Sequence, residues 1–161
     1  MDIDIGLPGQ TREDVGRMLN LLLADGYVLY TKTRNYHWNV TGPRFHSLHE
    51  FFETQYKILD EEIDEIAERA RAFGVRAHGT MAEFVEEARL REEPGTVPDA
   101  DTMLTNLLHD HERLVAQLRK DVDRCSNELN DQGTADFLTG LMETHEKQAW
   151  MLRAHVENAS A

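Results

Sequence analysis

The sequence predicts an all-α fold, a four-helix bundle with a short extra helix inside its long middle connection. Three observations carry this. Apolar residues recur at helical spacing through four long stretches, period-two alternation is absent, and the richest proline–glycine loop falls between the second and third stretch.

Helix A is expected from Thr11, where T-R-E-D resembles a capping box, to about His37, on Leu19, Leu22, Leu23, Tyr27 and Tyr30. The N-V-T-G-P-R-F segment breaks it, and Gly42-Pro43 suits a turn followed by a helix start. Helix B is expected from Pro43 to Phe73, on Phe52, Tyr56, Leu59, Ile63 and Ile66, with Gly74 ending it. Thr80-Met-Ala-Glu83 is a second capping box, opening a short helix to about Arg89. After R-E-E-P-G-T-V-P-D-A-D, helix C is expected from Asp101 to Leu129, on Leu104, Leu107, Leu108, Val115, Leu118 and Val122. Helix D follows N-D-Q-G, from Thr134 to Asn158, on Leu138, Leu141, Leu152 and Val156. Two hairpins, A–B and C–D, joined by one long crossover, give the topology of ferritin-like bundles. A chain of 161 residues suits a single domain, 1–161, with residues 1–10 as a short N-terminal arm.

Asp and Glu total 30 against 17 Lys and Arg, a formal net charge of −13. Such a balance argues against a nucleic-acid partner and suits metal cations, although solubility or a salty cytoplasm explains it equally well. Cys125 is the only cysteine, so neither a disulfide framework nor a thiolate zinc cluster is available. The first residues lack the basic start and apolar run of a signal peptide, and no stretch reaches the roughly 20 apolar residues of a membrane span. A cytoplasmic location is therefore expected.

The sequence holds no H-E-x-x-H, no phosphate-binding glycine loop and no G-x-S-x-G. None of its eight histidines has a Glu three residues before it, so the Glu-x-x-His pair of an intrabundle di-iron site is missing. What remains is His37 at the end of A, His46, His49 and Glu53 early in B, and Asp64 and Glu68 late in B. Imidazole with carboxylate suits non-haem iron. His49 and Asp64 are 15 residues apart, about 22 Å along a helix and within about 60° of one face. They cannot share a metal within one chain. An antiparallel crossing of two B helices near Tyr56 and Lys57 brings His49 of one chain to Asp64 of its mate, and two-fold symmetry makes two such sites.

The run N-Y-H-W-N-V-T-G-P-R-F-H-S-L-H-E-F-F, followed by D-E-E-I-D-E-I-A-E-R, closely resembles the Dps family (DNA-binding protein from starved cells) of mini-ferritins. The resemblance covers essentially the whole chain, including G-T-M-A-E-F and T-A-D-F-L-T…W-M-L. It implies ferroxidase ligands at His37 and His49 from one subunit and Asp64 and Glu68 from its two-fold mate. Glu53 would assist a second, weaker iron position, and Trp38 would intercept stray oxidising equivalents. Also implied are a hollow dodecameric shell, oxidation of Fe(II) preferentially by hydrogen peroxide, and ferric storage inside. Zinc is expected as a competitor for the site. Asp131 and Asp136 match the aspartates of the family's threefold iron pores, although acids at the start of a helix also suit its dipole.

One departure matters. DNA-binding members carry a lysine-rich terminal arm, whereas the first ten residues here hold Asp2 and Asp4 and no base, and the tail E-N-A-S-A is not basic. DNA binding is expected to be weak or absent unless divalent cations bridge it. The rival functions are a nucleoid-protecting protein with secondary iron chemistry and a shell that has lost its metal. His111 and His145, on the apolar stripes of C and D, are expected as hydrogen-bonded core or interface residues, with an intrabundle metal site the alternative. His46 is a candidate supplementary ligand. His78, His109 and His155 read as surface residues, Cys125 as a small buried filler, and Tyr36 and Trp150 as packing residues.

Overall fold

The computed structural model describes residues 3–157, so Asp2 and the 158–161 tail lie outside the described residues. Five helices, and no strand among the described residues, follow in the order α1 (Gly9–Asn39), α2 (Phe45–Ala72), α3 (Met81–Glu87), α4 (Ala100–Asn127) and α5 (Gln132–Val156). No helix among the described residues is long and apolar enough to cross a membrane.

Helix boundaries are set by local chemistry. The expected Thr11 cap does not form. α1 starts earlier, behind Pro8, with no side-chain cap, and the Pro8 carbonyl accepts the Arg12 N–H. Proline's fixed φ supplies a preset helix entrance that outcompetes the later threonine. Pro43 sits in the turn rather than in α2, because the Phe45 N–H closes onto the Gly42 carbonyl, and Gly42 holds a φ of +101°. Gly74, at φ +78°, ends α2 as expected. The N–H of Gly74 bonds the Arg71 carbonyl and that of Val75 the Ala70 carbonyl, the paired closure of a Schellman motif. Thr80 and Glu83 form the expected reciprocal capping box on α3. Asp99 and Asp131 cap α4 and α5 through the N–H groups of Thr102 and Thr134.

Side-chain pairs give the helix directions. Lys32 meets Asp110, and Asn106 donates to the Tyr36 hydroxyl, so α1 and α4 run antiparallel. Arg69 meets Thr134, Glu62 meets His145 and Phe51 stacks on His155, so α2 and α5 are antiparallel too. It follows that α2 and α4 are parallel, and the connection between them must travel back along the bundle. α1 anchors that return. Asn20 donates to the Arg76 carbonyl and accepts from the His78 N–H, each at 3.0 Å. The fully buried Asp25 carboxylate accepts from the Arg89 N–H at 2.6 Å, the Leu90 N–H at 3.1 Å and the Arg89 guanidinium at 2.7 Å. Tyr27 stacks on Phe84 of α3, with ring centroids 4.0 Å apart. Gly16 lets the chain after α2 come close, since a Cβ there would lie 2.4 Å from Val75.

One core cluster joins all five helices, with Leu19, Leu29, Phe52, Leu59, Leu104, Leu118, Leu138 and Leu152 among its closed positions. Cys125 is buried there, and burial followed by the charges of Asp131 and Asp121 pushes its thiol up to about 11, so it is an inert filler. Tyr36 packs in the core as expected, but Trp150 is 61% exposed. Most of its surface therefore lies outside the core that Leu152 and Ala149 enter. His155 is likewise not a bare surface residue, because Phe51 covers its ring.

Candidate metal centre

The α1–α2 turn brings the last turn of α1 against the start of α2. Here the rings of His37 and His49 stack, with centroids 3.8 Å apart. Each Nδ1 lies 2.8 Å from the backbone carbonyl of the other histidine. A carbonyl only accepts, so both Nδ1 atoms carry the proton and both Nε2 atoms present a lone pair. This exchange also satisfies the otherwise orphaned His37 carbonyl at the end of α1. Second-sphere bonds of this type fix the tautomer that a metal ligand needs.

Glu53, one turn beyond His49, completes a group whose ligand atoms all lie within 4.8 Å of one another. Lys57 holds the Glu53 carboxylate, and that hydrogen bond and charge lower its pKa, with the two imidazoles adding smaller contributions. Tyr56 meets the His37 ring edge-on at 5.3 Å, and Phe45 covers His49 at 5.2 Å. The Arg34 guanidinium lies 5.1 Å from the ring centres of both Tyr56 and Trp38. Trp38 itself is 62% exposed.

Asp64 and Glu68 are not part of this group. Both are exposed on α2, and Asp64 lines a shallow depression with Tyr27, Asp60, Glu61, Ile63 and Ala67. The 15 residues from His49 to Asp64 correspond to about 22 Å of continuous helix. The chain therefore carries two half-sites, an imidazole end and a carboxylate end, held apart by the rigid α2. His46 is exposed and pairs with Glu50 at 3.6 Å, outside the His37–His49–Glu53 group. The Asp131 carboxylate is buried and bonded to Thr134 as the α5 cap, whereas Asp136 is exposed near the start of α5.

A second polar group sits in the bundle core, and sequence reasoning saw only part of it. His111 and His145 approach Nδ1 to Nδ1 at 2.8 Å, and His145 Nε2 lies 3.4 Å from Glu62. Gln55 and Gln148 are buried as well. Burial, followed by the charge of Glu65, pushes Glu62 up to about 8. Burial pushes His145 down to about 4, and burial together with His145 pushes His111 well below the usual histidine range. The signal was available: Gln55 and Glu62 fall on the α2 stripe of Phe52, Leu59, Ile63 and Ile66, where polar residues are unusual.

A model of the ferritin-like domain family matches residues 17–161. A low temperature-induced protein of Nostoc sp. is 52% identical over 96% of this chain and 87% of its own. A DNA protection during starvation protein (Dps) of Bacillus anthracis is 39% identical over 88% of this chain and 96% of its own. This chain belongs to the Dps family of ferritin-like proteins. The structure agrees. The Dps protein of Vibrio cholerae superposes with a TM-score of 0.90 at 30% identity, covering 97% of this chain and 98% of the other. DpsC of Streptomyces coelicolor gives 0.93 at 30% identity, covering 97% and 91%. The Vibrio cholerae protein is described as a member of a superfamily of ferritin-like diiron-carboxylate proteins.

Proposed function

We propose that this Dps-family chain is a ferroxidase and iron-storage mini-ferritin that oxidises Fe(II), preferentially with hydrogen peroxide, at a site shared between two subunits. The observation that carries the reading is the pair of tautomer-locked imidazoles, His37 at the end of α1 and His49 at the start of α2, with the exposed Asp64 and Glu68 at the far end of α2. His37 and His49 have open Nε2 atoms and one carboxylate, Glu53, beside them. Two α2 helices crossing antiparallel near Tyr56 and Lys57 supply Asp64 and Glu68 of the partner subunit to each imidazole pair. The completed site holds two histidines and two carboxylates, a ligand set suited to Fe(II), with Glu53 serving a second, weaker iron position.

Fe(II) is the substrate. Two irons give one electron each, so one peroxide is reduced fully: two Fe(II), one H2O2 and two protons yield two Fe(III) and two waters. No hydroxyl radical is released. Trp38, exposed beside His37, is placed to intercept stray oxidising equivalents. Zinc competes for the same donors. In this reading the chains close into a hollow dodecamer, which stores the ferric product, and the exposed Asp136 lines the inlet for iron, while Asp131 is occupied as the α5 cap. The exposed Leu21, Phe45, Trp38 and Trp150 are apolar surface available to such subunit contacts.

Anaerobic Fe(II) loading followed by hydrogen peroxide or dioxygen, read by ferric absorbance, tests the proposal. The wild type is expected to oxidise iron faster with peroxide, and His49→Ala and Asp64→Ala are each expected to lose that phase. Wild-type rates in both variants would sink the shared site.

A further inference from the structure

The cluster in the bundle core uses none of the residues invoked above. Glu62 comes from α2, His111 from α4 and His145 from α5, with Gln55 of α2 and Gln148 of α5 nearby in sequence and on the same stripes; all five are more than nine-tenths buried. Both Glu62 oxygens, His111 Nε2 and both carboxamide atoms of Gln55 and Gln148 have no hydrogen-bond partner. Each such orphan costs about 1–3 kcal/mol, so a core that only needed packing would fill this space with leucine.

The spacing is informative. At 3.4 Å, His145 Nε2 and Glu62 are too far apart for a good charge-assisted hydrogen bond, which runs at about 2.7–2.9 Å. It is instead the separation of two neighbouring ligands on one tetrahedral ion, since bonds of roughly 2.0–2.2 Å set their ends about 3.4 Å apart. The 2.8 Å contact between the two Nδ1 atoms requires one donor and one acceptor. With His145 as donor, its Nε2 turns a lone pair towards Glu62, and His111 becomes the outer partner that fixes the ring. Gln148 is three residues beyond His145 and so on the same face of α5. The antiparallel α2–α5 register sets it opposite the turn of α2 just before Glu62, near Leu59.

We propose that this cluster is a second metal site, inside each bundle, for one divalent cation of the zinc or ferrous class. His145 Nε2 and Glu62 are its primary ligands, the carboxamide oxygen of Gln148, one turn from His145, is the neutral donor, and His111 orients His145 from behind. A lone carboxylate cannot supply the several acids of a dinuclear intrabundle centre, so the site takes a single ion. The ion ties α2 to α5 and works as a structural clamp. This proposal and the shared ferroxidase site rest on different residues, so either can fail alone.

The test uses the full-length assembled protein, stripped with chelator, in a His37→Ala/His49→Ala background that removes the other imidazole pair. Zn2+ is titrated by calorimetry, and Co2+ is followed by its visible absorption. One ion per chain is expected, with a Zn2+-dependent rise in Tm. Adding His111→Gln should weaken binding by about 10–100-fold, and adding Glu62→Gln should abolish it. Wild-type crystals soaked in Zn2+ should show an anomalous-difference peak between His145 Nε2 and Glu62, a reading that stands even where a core variant fails to assemble. Absence of that peak overturns the proposal. So does Zn2+ binding that Glu62→Gln leaves unchanged, which would assign the ion to surface carboxylates.

Discussion

Mixing two inactive variants gives a result that a shared site fixes numerically. His49→Ala removes one imidazole and leaves Asp64 and Glu68 intact. Asp64→Ala does the reverse. The two lesions are 15 residues apart on one unbroken helix, about 22 Å, so neither disturbs the other locally. In a mixed two-fold pair, one site inherits both lesions and the other inherits neither. Random reassociation of equal amounts makes half the pairs mixed, so about one quarter of all sites regain a full ligand set. The assay is peroxide-driven Fe(II) oxidation after the two variants are unfolded, mixed and refolded together. Each variant alone should lack the fast phase, and the mixture should recover roughly a quarter of the wild-type amplitude with an unchanged rate constant. Recovery near zero, with both variants assembled, would show that His49 and Asp64 serve one chain's site, and the two-fold reasoning would fall.

In metal-free protein, Glu62 should make stability fall with rising pH. Its folded pKa is raised from 4.5 to about 8, so its contribution is complete below the unfolded value and is lost towards the folded one. The slope is about 1.4 kcal/mol per pH unit per chain midway between the two values and falls to about half of that at pH 8, so roughly 1 kcal/mol is lost from pH 7 to 8. His145 and His111 are shifted down and act oppositely, losing stability as pH falls below 6.5. Melts between pH 7 and 8 therefore isolate Glu62, and Glu62→Gln should flatten the curve there; parallel curves would contradict the assignment. Asp25→Ala should cost about 2–3 kcal/mol, since it leaves the buried Leu90 N–H and the part-buried Arg89 N–H unpaired while the Arg89 guanidinium can turn to water. Hydrogen exchange should then show early opening of α3 and the return connection. With a net charge of −13 per chain, the protein should leave linear DNA unshifted in a low-salt gel without divalent cations, and a clear shift would revive the nucleoid-protecting alternative.

Much of this protein is legible in its sequence because helices and their ends are local. Leucine spacing, the Thr80–Glu83 box and Gly74 each specify an element from residues within one or two turns. The spacing of His37, His49, Asp64 and Glu68 likewise shows that one chain cannot close the site, since helix geometry is fixed by covalent structure and backbone hydrogen bonds. Pro8 and Asp99, which begin α1 and α4, were missed because several neighbouring residues can start a helix and the best backbone fit wins. Only the tertiary structure decided which atoms of His37 and His49 carry protons, because each tautomer depends on a carbonyl from the other helix. It alone joined Glu62, His111 and His145 from three helices into one buried cluster. Their sequence separation is large, and contact between them is a property of how the bundle packs, not of any single stripe.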